Sequence, residues 1–428
     1  MARFPKTLEL TTFTGLNNVL SPERTPSSFL KVAENIDIDK SGGIHKRPGY
    51  TLKLAGNFHS LWGEGYNFFA VKDGNLVRIH EDFSTEVLIS YTSKERISYS
   101  SVDGSSDVYF TSKAMSGIIT GNSVVPFGYT SPNPPTITEV TGSTRLSAGT
   151  YQVSLTYVDS NNVESGSAIG QMIGIQEGSA IVLNNIQPSD SHEIIGVRIY
   201  CSTPNGEVQY LLGQIPVNTT TYTITSVHSE GVTPLKSFNM YPAPNGEIVR
   251  YFKGRMWIAD GNLLWYSSPF SLGWFNVAHD FFQFEQDITE LMPIEEGIFV
   301  GTKRGLYLLV GTDPSKMKLV LKEPVEVVRN TAEKVSGAYI TIENAPTGYR
   351  WLVTTDKGIF VCSNSGTVLN KTVENISLPK ADKGVSTFIQ QDGINRYLTL
   401  LEEKKPSNNA ATSDIVTAVV IRNGVALT

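Results

Sequence analysis

The feature that most restricts how this chain can fold is a recurring pattern: a short apolar or alternating run, a turn dipeptide, then a second such run. It appears as FFAVKDGNLVRI (68–79), GRMWIADGNLLWYSS (254–268), GIFVGTKRGLYLLVG (297–311), WLVTTDKGIFVCS (351–363) and IVTAVVIRNGVAL (415–427). Val, Ile, Tyr, Phe and Trp dominate these runs and suit a pleated, half-buried surface. Asp73-Gly74, Gly121-Asn122, Asp260-Gly261 and Asn423-Gly424 stand at the turns. Gly, Asn and Asp tolerate the positive φ that primed hairpin turns require. Arg304-Gly305 and Lys357-Gly358 hold similar places. With 37 Gly, 21 Pro and only 18% charged residues, the composition excludes coiled coils, long charged helices and collagen-like repeats. One stretch predicts a helix: Thr25 caps it, Pro26 fits its first turn, and Phe29, Leu30 and Ala33 share a face.

The hairpins recur at a rough period. Gly74 and Gly121 lie 47 residues apart, Gly261 and Gly305 44, and Gly305 and Gly358 53. The interval from Gly358 to Gly424 is 66 and contains the polar loop Glu403–Ser413. A period of about 40–50 residues is that of four-stranded propeller blades. Each unit alone cannot bury both faces, and stacking units around an axis does so. Gly121 to Gly261 spans 140 residues, leaving roughly 95 beyond one unit, the size of a small β-sandwich. That excess opens with the Pro-rich Ser131–Pro135 and closes near Thr225, before a second Pro-rich joint at Tyr241–Gly246. Within it, Tyr151, Val153, Leu155 and Tyr157 alternate with Gln152, Ser154 and Thr156, so one strand face belongs to a core. The sequence thus predicts an all-β chain. Residues 1–132 form an arm and the first blades, 133–228 an inserted immunoglobulin- or fibronectin-III-like β-sandwich, and 229–428 the remaining blades of a β-propeller of about six irregular blades. The insert lacks the paired cysteines and the tryptophan of a true immunoglobulin domain.

Cys201 and Cys362 are the only cysteines, too few for a disulfide framework or a cysteine zinc site. No apolar run approaches the ~18 residues that cross a bilayer as a helix, and MARFPKTLELTTF lacks the apolar core of a signal peptide, so assembly in a cytoplasm is expected. The net charge of -6 is spread without blocks. This argues against tight binding of nucleic acid through a basic face.

The search for chemistry returns none. The histidines His45, His59, His80, His192, His228 and His279 form no local ligand pair. Asp37 and Asp39 could face a cation but read better as turn-flanking acids. Glu295-Glu296 does not define the opposed carboxylates that glycoside hydrolysis needs. Phosphate-loop and nucleophile-elbow motifs are absent, and Lys46-Arg47 and Thr302–Arg304 are too short for a nucleic-acid footprint. The expectation is no enzyme, no cofactor and no metal. Trp265–Phe275 holds five aromatics in eleven residues, suiting either a partner surface or blade-to-blade packing.

The segment FTGLNNVLSPERTPSSFLKVAENIDIDKSGGIHKRPGY (13–50) resembles the opening of virion proteins from tailed bacteriophages. The matching residues are Gly15, Asn17, Asn18, Pro22, Glu23, Arg24, Ala33, Asn35, Asp37, Asp39, Gly42, Gly43, Arg47, Pro48, Gly49 and Tyr50. The stretches GRMWIADGNLLWYSSPFSLGWFN, GIFVGTKRGLYLLVGTDPSKM and AGTYQVSLTYVDSNNVESG are similar to the same proteins. The resemblance implies a tail nozzle (tubular tail) or DNA-stabilising hub protein of a short-tailed phage, located in the virion tail. Such proteins form rings, usually hexamers, that continue the portal channel, retain packaged DNA and conduct it during ejection. The implied partners are further copies of the chain, portal or adaptor and other tail proteins, double-stranded DNA passing without sequence-specific binding, and the host envelope. A mild negative charge suits such a conduit, since a basic wall would hold DNA. The alternative is a receptor- or carbohydrate-binding tail adhesin. Candidate interface residues are Phe13, Asn17, Asn18, Arg24, Arg47 and Tyr50 in the arm, with Trp265 and Trp274. The competing role for the arm is to close its own last blade.

Overall fold

The computed structural model describes residues 10, 12–49, 51–142, 146–228, 232–340, 342, 348–372, 375–391, 394–403, 416–422 and 425–427. Among them the chain is all-β: many small antiparallel sheets, with a single 3-10 turn at Pro314–Lys316 and no α-helix. Two compact units divide it. One comprises Met1–Gly56, Gly261–Leu263 and Phe284–Thr428, the other Asn57–Asp260 and Leu264–Gln283. The boundaries expected at 132/133 and 228/229 both fall inside the second unit.

In the first unit, three four-stranded sheets (288–323, 333–370 and 381–427) run in simple up-and-down order. The middle one shows why they stack. In a strand, successive side chains point to opposite faces. Trp351, Val353, Phe360 and Cys362 pack against Met292, Phe299, Leu306 and Leu308 of the preceding sheet. Leu352, Ile359 and Val361 face the other way and meet Tyr397 and Leu401 of the following sheet, with Leu16 and Ala33 of the arm. One four-stranded sheet therefore buries two apolar faces against two neighbours.

The same device recurs in the second unit. Tyr99, Val108, Phe110 and Ile119 of the 98–125 sheet pack on Phe69, Val71 and Leu76 of the 58–90 sheet. Tyr109 and Ile118, one residue out of step, join Val249, Met256, Ile258 and Phe275 of the 248–283 sheet. Between these two sheets in sequence lie seven strands in two layers. The strands Thr136–Val140, Ala180–Asn184 and Tyr222–Ile224 form one layer, and Gln171–Ile175, Gly149–Asp159, Ile194–Ser202 and Gln209–Pro216 the other. They share a core of Tyr151, Val153, Leu155, Tyr157, Ile181, Leu183, Val197, Ile199 and Ile224. In this sandwich the first strand pairs with the fourth, and the fourth with the seventh. An immunoglobulin constant domain instead joins first, second, fifth and fourth. Here the second and third strands pair directly as antiparallel neighbours, which keeps them in one sheet.

Two local expectations need correction. Thr25 starts no helix: its hydroxyl donates to the Ser21 carbonyl (3.0 Å), and Phe29–Leu30 is extended, pairing in parallel with Gly15–Leu16. The run was too short to stand alone, since Asn35 at φ 54 ends it and isolated helices below ~12–15 residues are marginal in water. Asp73 and Gly74 take φ 50 and 82, as a two-residue primed turn demands. At the next hairpin type, however, Asp260 ends its strand and the turn is Gly261-Asn262, mirroring Gly121-Asn122. Likewise Gly358 opens a strand, and the turn is Asp356-Lys357. Asn423-Gly424 and most of the polar loop from Glu403 lie outside the described residues.

Phe299, fully buried between two sheets, gives a direct test. Phe299→Ala is expected to lower unfolding stability by ~3–5 kcal/mol in urea denaturation followed by circular dichroism. A loss below ~1 kcal/mol would mean that these faces are not packed.

Candidate interaction surfaces

The arm is the segment with the most distinctive sequence, and its polar residues are spent within the chain. Thr14 N–H donates to Ser28 O (2.8 Å) and Asn17 N–H to Leu30 O (2.8 Å), extending the Gly15–Leu16 pairing. Asn17 is buried. Its Nδ2 donates to Asn375 Oδ1 (3.1 Å) and its Oδ1 accepts from Leu20 N–H (3.0 Å). Exposed Asn18 makes a reciprocal amide clamp: Nδ2 donates to Ser377 O (3.0 Å), and Oδ1 accepts from Ser377 N–H (2.7 Å). Gly15–Leu16 also lies beside Val425–Leu427 of the last sheet. Phe13 donates its N–H to Gly42 O (2.9 Å) and packs with Ile38, Leu30 and Leu398. Gly42 has φ +88, and a Cβ there would stand 3.0 Å from Phe13 N, so both conformation and space call for glycine. Arg24 is exposed on the turn from Ser21, and Tyr50 lies outside the described residues.

Charge pins the same arm. Asp37 Oδ1 accepts from Arg47 Nε (3.1 Å), and its Oδ2 lies 3.9 Å from Arg396 Nη2 in the 381–427 sheet. All three side chains are mostly buried. Asp39 instead closes an exposed turn, accepting from Ser41 N–H (2.8 Å), Ser41 Oγ (2.6 Å) and Gly43 N–H (2.9 Å). His45 Nε2 stands 2.7 Å from its other oxygen. The Ser41 hydroxyl, then His45 and the backbone N–H groups, hold the Asp39 carboxyl well below its ordinary value. Asp37 and Asp39 are thus structural, each with its own partners.

The aromatic stretch also packs inward. Trp265 Nε1 donates to Val277 O (3.2 Å) and joins the Val249–Met256 core. Phe275 is fully buried, and Tyr266 packs tilted on Trp257 with ring centroids 5.2 Å apart. Trp274 Nε1 donates to Glu164 O in the sandwich (2.5 Å), tying the 248–283 sheet to the insert. Close by, a Cβ on Gly166 would stand 1.7 Å from Met240 O, so the two segments touch backbone to backbone. Only Phe270 projects, 86% exposed at φ 58.

Each described histidine that approaches an acid does so on the surface, as His80–Glu86 (3.5 Å), His192–Glu193 (3.1 Å) and His279–Asp280 (2.7 Å). Among the described residues no group of three His, Cys, Asp or Glu is placed to hold a metal ion. Glu295 and Glu296 are both exposed on a hairpin turn. Burial pushes the Cys201 thiol up to about 12 and the Cys362 thiol higher still, which leaves both unreactive.

Sequence reading missed the buried polar ties. Glu290, 3% exposed, accepts from Thr331 N–H (2.7 Å) and Ala332 N–H (3.2 Å) through Oε1. Tyr397 OH donates to Thr331 O (2.5 Å) and lies 3.0 Å from Thr354 Oγ1. In the sandwich, Glu164 accepts from Thr156, Tyr200 (2.8 Å) and Arg198 (3.0 Å). None of these carries a local signal, because each joins residues from separate segments of the chain.

No protein-family model matches the chain, and no curated protein matches it. Solved structures give distant similarities. A crystal structure of BBS1N in complex with ARL6DN is 14% identical, covering 81% of this chain and 88% of that one, at a TM-score of 0.28. PorZ, a surface component of the type-IX secretion system of Porphyromonas gingivalis, is 11% identical over 90% and 55% of the two chains, with a TM-score of 0.24. A nidogen/laminin complex is 9% identical over 73% and 95%, with a TM-score of 0.21. At such scores none of them decides the fold.

Two outcomes follow for the arm. Asn17→Ala leaves the half-buried Asn375 Oδ1 and Leu20 N–H without this partner, a cost of ~1 kcal/mol. Limited proteolysis is therefore expected to cut the arm of Asn17→Ala/Asn18→Ala before the sheets, and an arm as resistant as the wild type would contradict the clamp. Asp39 is depressed in the folded chain, so its contribution is present above the ordinary value of 3.8 and lost as pH falls below it. Hydrogen exchange should show the 37–47 turn losing protection in acid, and Asp39→Asn should abolish that dependence.

Proposed function

We propose that the chain is a structural protein of a bacteriophage tail. Copies assemble into a ring that extends the portal channel, retains packaged DNA and conducts it during ejection. In this reading the six small sheets, three in each unit, are the irregular blades of a β-propeller, and the sandwich is a domain inserted between two of them. The proposal treats the protein as a mechanical part, with no catalytic residue, cofactor or metal.

The observation that carries the reading is the role of the arm. The residues matching tailed-phage virion proteins include Asn17, Asn18, Asp37, Asp39, Gly42 and Arg47. These are the ones that clamp, pin or turn the arm on the sheets of its own unit. A motif built for packing is what a structural family would retain, and it explains why the resemblance carries no reacting group. The stacking of each small sheet on its neighbours supports the blades, and the net charge of -6 suits a wall past which DNA moves without adhering.

The test is electron microscopy of the purified chain together with the virions that contain it. Rings with a central opening, and density for the chain below the portal, are the expected result. A protein that remains monomeric at every concentration and is missing from virions would overturn the proposal.

A further inference from the structure

Resting on the ring reading, we propose that neighbouring copies join through two complementary surface strips. The outer strand Lys318–Glu323 of one copy's first unit meets the 81–87 turn and strand of the next copy's second unit. The occupant of each strip is thus a second copy of this chain.

The first strip is an edge strand, hydrogen-bonded on one side only. Leu319, Val320 and Leu321 are 48%, 43% and 52% exposed. Successive strand residues point to opposite faces, so this strand shows apolar side chains both ways. Lys318 precedes the trio and Lys322 follows it, ahead of Glu323, while Lys316 is held by Asp313 (3.5 Å), and a bulge interrupts the pairing beside Lys322. Lysines and bulges on an edge discourage open-ended strand addition. The contact is therefore through side chains, and it does not propagate into a fibre.

The second strip has the opposite charge around a similar apolar centre. Phe83 and Val87 are 46% and 61% exposed, and Glu81, Asp82 and Glu86 surround them. Asp82 accepts from Ser84 N–H (2.9 Å) and Oγ (2.6 Å), and Glu86 lies 3.5 Å from His80. These bonds fix where the acids sit. Phe83 holds φ 64, a left-handed conformation uncommon for a bulky side chain, in a hairpin turn closed by Phe83 N–H on His80 O (2.9 Å) and His80 N–H on Ser84 O (3.0 Å). The turn thereby holds the Phe83 ring at the surface. Because the two strips differ, the contact is heterologous, and heterologous contacts that close make rings.

The experiment follows assembly by sedimentation velocity and electron microscopy on the full chain. Lys318→Glu/Lys322→Glu should weaken ring formation by about tenfold or more, since like charges would face each other. Adding Glu81→Lys/Asp82→Lys to that chain should restore it. Circular dichroism checks that each variant folds. Wild-type rings should also weaken as salt rises, because exposed charges are screened. Rings that survive the lysine reversal unchanged would overturn this surface and leave the ring reading standing. Loss without rescue would overturn the pairing with 81–87. A wild-type chain that forms no ring would overturn both.

Discussion

A four-stranded antiparallel sheet with two apolar faces cannot remain alone in water, and the architecture follows from that constraint. Trp351 and Val353 look one way from their strand while Leu352 looks the other, and each face finds a neighbouring sheet. Tyr109 and Val108 divide in the same manner in the second unit. Burial of this kind, at about 25 cal/mol per Å² of apolar surface, favours the stacking of consecutive sheets. A row of sheets built this way still has two outer faces, and in the first unit the arm supplies Phe13, Leu30 and Ile38 to one of them, where they pack on Leu398, which points away from its strand neighbour Tyr397.

Polar contacts then fix what apolar burial leaves loose. The Asn17 and Asn18 amides, the approach of Asp37 to Arg396 and the Glu290 carboxylate each join segments far apart in the chain. Their contribution is directional, selecting one docking geometry among many that would bury similar area. Trp274 does the same for the sandwich, through an N–H bond from the 248–283 sheet to the insert.

Much of the fold was legible in the sequence because strands advertise themselves locally. Alternation at 151–157, apolar runs at 297–311 and 351–363, and positive-φ residues at 73–74 need only neighbouring residues to form. Errors arose where context decides. Thr25–Ala33 has helical spacing, yet pairing with Gly15–Leu16 offered its backbone a better partner than a two-turn helix would. The strand order of the sandwich, first with fourth and fourth with seventh, was not legible, because it depends on which strands meet across space. The candidate surface was legible in its residues but not in its use. Asn17, Arg47 and Trp274 were singled out, and the structure places their polar groups against the same chain. The strips at 318–323 and 81–87 passed unnoticed because exposure cannot be read from an apolar run.

The account stands on the idea that a sheet's outer face must be covered and that the arm does this in the first unit. The most direct measurement is hydrogen–deuterium exchange across 333–403 in the whole chain and in a chain lacking residues 1–49. Loss of the arm is predicted to raise exchange in the 381–403 strands first and then in the 333–370 sheet. Identical protection in both chains would show that the face is stable uncovered, and would contradict the account.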